Sequence, residues 1–137
     1  MSIILLFSVL SPCILTVNPA NAQLERTIDA IWTVESSNGK DTRDGDGGKA
    51  IGPYQIHRAY WTDGTRFLGV AWPYEAARDP IKARRVVRAY LTHYQRAYGY
   101  PATPQTYARI HNGGPKGPQR ASTLNYWQRV EKTLNVP

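Results

Sequence analysis

Cysteine is almost absent from this chain. The single cysteine, Cys13, lies in the first 22 residues, so residues 23–137 contain none. This absence excludes disulfides, a thiolate nucleophile and a cysteine-based metal site from residues 23–137. A domain of this length must therefore hold together by packing alone, which is feasible at this size. Nine tyrosines and four tryptophans can supply much of the buried surface.

Charged side chains are absent from the first 22 residues, MSIILLFSVLSPCILTVNPANA. An apolar run over residues 3–17 is followed by the tetrapeptide PANA, which ends in an A-x-A pattern. We interpret this segment as a secretory signal peptide that is cleaved after Ala22.

Two rival interpretations of the same segment are weaker. An anchoring helix is disfavoured because the run is short and Pro12 interrupts it. A lipoprotein site at Cys13 is disfavoured because Pro12 precedes it, where such a site wants a small residue. The sequence thus predicts a leader over residues 1–22, one domain over 23–137, secretion (extracellular or periplasmic) and no stable membrane insertion after cleavage.

Positive charge dominates the rest of the chain. Seventeen Lys and Arg face ten Asp and Glu, which gives a formal net charge of +7. A basic secreted domain suggests a polyanionic partner such as an anionic cell-wall surface. Nucleic acid is disfavoured as the partner because no recognised binding motif accompanies the charge. The alternative is that the charge serves only solubility.

Helical periodicity is clear in two segments. Residues 23–36 place Glu35 at the C-terminal end of an apolar stripe, where a solvated glutamate is not expected. Residues 79–98 form the clearest helix, with Asp79 as its cap and Pro80 at its first position. The predicted stripe of that helix consists of Ile81, Ala83, Val87, Tyr90, Leu91, Tyr94 and Tyr98.

The remaining segments are shorter. Residues 38–50 suit a hairpin or an irregular turn, and residues 52–61 predict a short helix with Pro53 in its first turn. Asp63-Gly64 and Trp72-Pro73 predict loops. Two further helices are predicted over 104–110 and 122–134, the second with Leu124, Trp127, Val130 and Leu134 facing inward. The fold class is therefore α+β and mainly α, with one small β or loop insert.

Carboxylates stand out as the candidate chemistry. Glu35 on an apolar helix face is followed by Asp41, Asp44 and Asp46 on a glycine-rich turn. Glycosidic cleavage needs one carboxyl whose pKa is raised by burial and a second that stays ionised in a hydrated place. The alternative is that these residues are helix caps or solvated surface.

Three ordered motifs narrow this choice. Glu35-Ser36 is followed by GPYQIHRAYWTDG (52–64), YARIHNGGPKGP (107–118) and STLNYW (122–127). This series resembles the invertebrate-type (destabilase) lysozymes. The resemblance implies a lysozyme-like fold with helices around a short β-hairpin and a sugar-binding cleft. It also implies hydrolysis of the β-1,4 bond between N-acetylmuramic acid and N-acetylglucosamine in peptidoglycan, with no metal and no cofactor.

The resemblance also assigns the site. It makes Glu35 the proton donor, and alignment on Gly52 with one residue deleted makes Asp46 the second carboxylate. Asp44 is the runner-up, and Asp41 is a solvated or turn-capping residue. The predicted sugar-binding residues are Gln55, His57, Arg58, Tyr60, Trp61, Asp63, Tyr94, His111, Asn112 and Gly113. Stacking of sugars on Tyr60 and Trp61 is expected. Three alternatives stay open: Trp61 is a core residue, His111 is a structural hydrogen-bonding residue, and Gln55 orients local backbone.

Other activities remain as alternatives. A lytic transglycosylase would use Glu35 alone, and a wall-binding protein on the same fold would use no catalysis. Relatives that cleave isopeptide bonds are thought to use a serine. Here Ser36, Ser37 and Ser122 have no evident His or Lys partner in sequence. Family members are rich in disulfides, unlike residues 23–137, so the shapes of loops 38–50 and 64–79 do not follow from the resemblance.

Overall fold

The computed structural model describes residues 18–137, which form five α-helices and one two-stranded sheet. The helices are α1 (Pro19–Ser36), α2 (Arg58–Leu68), α3 (Pro80–Ala97), α4 (Pro104–Gly113) and α5 (Leu124–Leu134). Strands β1 (Ala50–Ile51) and β2 (Ile56–His57) pair antiparallel, with Ala50 opposite His57. Short 3-10 turns cover Asp46–Gly48, Tyr74–Arg78, Gly117–Gln119 and Ala121–Thr123. The architecture is mainly α, as the sequence predicts.

The predicted leader falls largely outside this description, since residues 1–17 are not among the described residues. Helix α1 begins at Pro19, so the predicted cleavage point after Ala22 lies within its first turns. Over residues 18–137, every helix is too short or too polar to cross a bilayer.

Helix α3 begins where its sequence signals place it. The Asp79 carboxylate accepts hydrogen bonds from the backbone N–H groups of Ile81 and Lys82, at 2.9 and 3.2 Å. Pro80 follows at the first helical position, where its missing N–H costs nothing. Local chemistry alone is enough to predict this boundary.

The short helix predicted over residues 52–61 is wrong. Residues 52–55 form the turn of the β-hairpin, and the helix begins only at Arg58. Gly52 has a φ of +75°, and a Cβ there would lie 2.0 Å from the Ala77 carbonyl oxygen. A position that needs both a left-handed backbone and close approach favours a turn, so Pro53 belongs to the hairpin and not to a helix.

The loop predicted at Asp63-Gly64 is also wrong, because both residues lie inside α2. A Cβ on Gly64 would lie 2.5 Å from Cγ1 of Val86. The glycine therefore permits close approach of α2 to α3 within a continuous helix.

The core draws on all five helices and on the hairpin. Its fully buried large side chains include Ile28, Ile31, Ile56, Val86, Val87, Leu91, Ile110 and Val130. Three residues predicted to face inward do not, since Ile81 is 75% exposed, Tyr98 is 42% exposed and Leu124 is 40% exposed. Tyr98 lies just beyond the end of α3. Ile81 and Leu124 each lie two positions from a buried residue of their own helix, Ala83 and Tyr126. Two positions are about 200° of rotation, which points the side chain to the opposite face.

An ion-pair network joins α1 to α3. The Arg84 guanidinium contacts both Glu25, at 2.7 Å, and Asp29. Arg88 contacts the other oxygen of Glu25 at 2.6 Å. These contacts link residues about 60 positions apart in a domain that has no disulfide.

Candidate active site

Glu35 lies in the last turn of α1 and its side chain is only 19% exposed. The Ser36 hydroxyl donates to the Trp32 carbonyl at 2.6 Å and accepts from the Gly39 N–H at 2.8 Å. Ser37 then takes a left-handed backbone with φ +49°, which ends the helix. Glu35 is thus mostly buried, as the apolar stripe predicts, and its neighbours are His111 on α4 and Tyr126 and Arg129 on α5.

His111 stands behind the Glu35 carboxyl. Its Nε2 lies 3.6 Å from Oε1 of Glu35 and 3.1 Å from the Tyr54 carbonyl oxygen. A carbonyl can only accept, so Nε2 carries a hydrogen. Nδ1 lies 3.1 Å from the Tyr60 hydroxyl, which donates to it when the ring is neutral and accepts from it when the ring is protonated. His111 therefore has the structural hydrogen-bonding role that the sequence left open, because it joins Tyr54 and Tyr60.

The pKa of Glu35 differs from the sequence expectation. Burial raises this pKa, but the hydrogen bond and charge of His111, followed by Tyr126 and Arg129, lower it, and the net direction is downward. The expectation of a raised pKa is wrong because donors from α4 and α5 favour the ionised carboxylate more than burial disfavours it.

A cavity of about 220 Å³ opens beside Glu35. It is lined by Glu35, Asp41, Arg43, Asp44, Gly45 and Gln55. Arg43 binds both oxygens of Asp41, at 3.0 and 2.8 Å, and lowers the pKa of Asp41 to about 2. Arg78 binds both oxygens of Asp44, at 2.6 and 2.9 Å, and lowers the pKa of Asp44. Both aspartates are therefore ionised and engaged by arginine.

Asp46 lies outside this cavity lining. It begins the 3-10 turn Asp46–Gly48 with a φ of +49°, and its side chain is 64% exposed. Its Oδ2 lies 3.4 Å from Nε2 of His57, which is itself an exposed side chain. Asp46 is thus the most exposed of the three aspartates, and the group beside it is the imidazole of His57 and not an arginine.

Gln55 braces the acidic turn. Its amide nitrogen donates to the carbonyl oxygens of Arg43 and Gly52, both at 3.1 Å. A Cβ on Gly45 would displace the side-chain oxygen of Gln55, so glycine permits the present position of this amide. Gln55 therefore orients local backbone, the alternative that the sequence left open, while it also lines the cavity.

Tyr60 and Trp61 are core residues. Tyr60 is 8% exposed and stacks on Tyr90 with a centroid distance of 3.5 Å, and Trp61 is 2% exposed. The Trp61 indole N–H donates to the Trp72 carbonyl at 3.0 Å. The expectation that these two rings stack on sugars is wrong, because their faces are occupied by protein.

The other predicted sugar-binding residues fall into separate places. Tyr94 donates to Asp63 at 2.7 Å, and burial and Asp63 raise the pKa of Tyr94 to about 12. Asn112 is exposed on α4, and a Cβ on Gly113 would lie 2.5 Å from Thr123. The Arg58 guanidinium lies 4.4 Å from the centre of the Tyr74 ring.

Two further residues, Tyr126 and Arg78, act on the site and were not among the predicted site residues. Tyr126 is buried at 3% exposure beside Glu35, and Arg78 holds Asp44 from 34 positions away. The spacing of Tyr126 to Val130, four residues on α5, was an available signal for an inward-facing Tyr126. For Arg78 we find no local sequence signal.

Comparison with known proteins places the chain in a family. The family model described as Destabilase matches residues 25–133. The lysozyme of Ostrea edulis is 47% identical over 83 residues, which cover 60% of this chain and 58% of that protein. The lysozyme of Magallana gigas is 41% identical over 87 residues, which cover 61% and 59%. The match thus spans under two thirds of these relatives.

Solved structures show the same fold. The crystal structure of Tapes japonica lysozyme matches with a TM-score of 0.66 and 25% identity, over 79% of this chain and 88% of that one. The inhibitor-bound lysozyme from Meretrix lusoria matches with a TM-score of 0.65 and 34% identity, over the same shares. The lysozyme-like fold expected from the sequence is confirmed. Because the family model spans most of its length, this chain belongs to the Destabilase family, the invertebrate-type lysozymes.

Proposed function

We propose that the protein is a muramidase that hydrolyses the β-1,4 bond between N-acetylmuramic acid and N-acetylglucosamine in peptidoglycan. The observation that carries this proposal is the enclosed Glu35 carboxyl, backed by His111 and facing a cavity edged by the acidic turn. Relatives and neighbouring structures named lysozyme support it.

In this mechanism Glu35 gives its proton to the glycosidic oxygen as the bond to the anomeric carbon breaks. The lowered pKa of Glu35 means that the proton is scarce at neutral pH in the free protein. A bound sugar that displaces water from the cavity would strengthen the burial that raises this pKa. We therefore expect activity to be greatest on the acid side of neutrality.

Asp46 is the proposed second carboxylate. Its partner is the exposed His57, whereas both oxygens of Asp44 are held by Arg78. A carboxylate that must attack the anomeric carbon or steady positive charge there needs accessible oxygens, which favours Asp46. Asp44 keeps one advantage, since it lines the same cavity as Glu35. Retention of configuration is favoured by the family resemblance and would need the two carboxyls about 5–5.5 Å apart.

Sugar binding is proposed for the exposed candidates. His57, Arg58 and Asn112 are open to solvent and carry polar groups that suit hydroxyl and acetamido partners. Gln55 lines the cavity, and Asp63 and Tyr94 offer a second polar cluster. For Gly113 the proposal rests on the family resemblance, because its close neighbour is Thr123. The proposed role of His111, Tyr60 and Trp61 is structural: these buried residues support the site and do not contact the sugar.

The net charge supports a cell-wall partner. A formal charge of +7 concentrates such a protein at an anionic wall and makes its activity fall with salt. We propose that it works after secretion, on peptidoglycan outside the cytoplasm.

Mass spectrometry of fragments from purified peptidoglycan tests the reaction. Reducing ends that are released by the wild type and not by Glu35→Gln support hydrolysis. Anhydro ends would identify a lytic transglycosylase that uses Glu35 alone. That alternative is kept because two of the three aspartates are bound by arginine and the third lies outside the cavity lining. No released fragment from the wild type would contradict both enzymatic proposals.

A further inference from the structure

A buried phenol without a hydrogen bond lies next to Glu35. Tyr126 is 3% exposed, and its hydroxyl has no hydrogen-bond partner within the part of the chain that the structure describes. A buried hydroxyl normally has a partner, because leaving it unsatisfied destabilises the folded state. Such a group in the core next to a carboxyl needs an explanation.

The hydroxyl faces the Glu35 carboxyl. Burial raises the pKa of Tyr126 most, and the charge of Glu35 raises it further, while Tyr126 in turn lowers the pKa of Glu35. The ring is fixed from two sides, by His111 with a centroid distance of 6.1 Å and by the Arg129 guanidinium at 5.2 Å from its centre. The position of the Tyr126 ring is therefore set by its packing, with its hydroxyl beside Glu35.

The other donor beside Glu35 is already committed. His111 Nε2 lies 3.1 Å from the Tyr54 carbonyl and only 3.6 Å from Glu35. An ionised carboxylate gains more from a donor than a protonated carboxyl does. Tyr126 is thus the buried donor that remains available when Glu35 becomes negative.

From this arrangement, and on the basis of the proposed function, we infer that Tyr126 is a positioning residue whose hydroxyl hydrogen-bonds the Glu35 carboxylate once its proton has left. In that step the proton passes from Glu35 to the glycosidic oxygen, which keeps the electron pair of the broken bond. The anomeric carbon is taken by the second carboxylate or by water. Tyr126 keeps its own proton throughout and stabilises the carboxylate that is left behind.

Other groups around Glu35 also bear on its titration. They are His111 from α4, Arg129 from α5, Tyr60 from α2, and Asp41, Arg43 and Asp44 from the acidic turn. The test must therefore change Tyr126 alone and keep its ring in place.

Tyr126→Phe is that test, with Tyr107→Phe as its matched control. Tyr107 is a second buried tyrosine, 5% exposed, whose pKa responds to burial and to Arg96 and not to Glu35. We expect Tyr126→Phe to lower kcat about tenfold with KM nearly unchanged. The alkaline limb of kcat/KM should move to higher pH, because the ionised carboxylate loses a donor. Tm should fall slightly at neutral pH, because the ionised Glu35 carboxylate loses a donor, and should match the wild type at a pH where Glu35 is protonated.

Titration of the Glu35 carboxyl by ¹³C NMR provides a readout without substrate. A raised Glu35 pKa in Tyr126→Phe, and not in Tyr107→Phe, supports the inference even if the wild type releases no reducing ends. The inference is overturned if Tyr126→Phe leaves both the Glu35 titration and the pH profile of the wild type in place. A wild type without activity would instead contradict the proposed function.

Discussion

The two sides of the candidate site are built in opposite ways. Behind Glu35, His111 connects to Tyr60 and Tyr54, which lie 51 and 57 positions away in the chain and are buried. On the acidic turn, Asp41 is bound by Arg43 only two positions away, and Asp46 is largely exposed. The first side depends on the whole fold, and the second depends mostly on local backbone.

The two sides match the two requirements of glycosidic cleavage, a proton donor and an ionised carboxylate. A carboxyl that donates a proton needs an environment that tunes its pKa, and only buried groups from several elements can supply it. A carboxylate that stays ionised needs water and little else. Substitutions behind Glu35 should therefore alter pH dependence and stability together, whereas substitutions on the turn should alter mainly the rate.

Glu35→Gln should have the largest effect on activity. The amide keeps the size of the side chain but cannot donate a proton, and general acid catalysis contributes about 10²–10⁴ in rate. We expect release of reducing ends to fall by about 10³ with far-UV circular dichroism unchanged. A loss smaller than tenfold would mean that another group is the acid.

Asp46→Asn and Asp44→Asn should differ, which would locate the second carboxylate. We expect a loss of about 10² in kcat for Asp46→Asn, because an amide can neither attack nor balance the positive charge. Asp44→Asn should cost only a few-fold in kcat and a small drop in Tm, since it releases Arg78. The reverse order would make Asp44 the second carboxylate, and equal, near-wild-type rates would favour a transglycosylase.

His111→Gln should change pH dependence and stability at once. His111 lowers the pKa of Glu35, so its removal should raise that pKa and move the alkaline limb of kcat/KM to higher pH. Stability should also fall, because the Tyr54 carbonyl and the Tyr60 hydroxyl lose a partner, at about 1–3 kcal/mol for each buried group left unsatisfied. Thermal unfolding and a pH–rate profile on one preparation measure both effects. A fall in Tm without a pH shift would make His111 purely structural.

Features that depend on neighbouring residues can be predicted from the sequence, and features that depend on distant segments cannot. The Asp79 cap, the α3 boundaries and the place of Glu35 on α1 rest on neighbouring residues, so periodicity and capping rules predict them. Partners of Glu35 on α4 and α5, and the clamp of Asp44 by Arg78, depend on the approach of distant segments. For that reason the burial of Glu35 could be predicted, whereas the direction of its pKa could not.

The aromatic residues give the same lesson from another angle. Family resemblance points to Tyr60 and Trp61 as sugar contacts, yet packing buries both rings. A domain without disulfides must draw its core from its aromatic residues, and nothing in a motif states which face of a ring will be covered.

Glu25→Gln and Asp41→Asn should show the smallest effects, and they compare the contact between α1 and α3 with the acidic turn by stability alone. Arg88 and Arg84 lower the pKa of Glu25 in the folded protein. A group with a lowered folded pKa stabilises above its unfolded pKa and loses that contribution as pH falls through the folded value. We expect Glu25→Gln to lower Tm by roughly 3 °C at pH 7, with the difference from wild type vanishing below the folded pKa of Glu25.

Asp41→Asn should leave Tm unchanged, because its ion pair with Arg43 is local and solvated, although Arg43 lowers the pKa of Asp41 to about 2. Equal shifts of Tm for the two variants would show that the Asp41–Arg43 ion pair stabilises the fold as much as the ion pairs between α1 and α3.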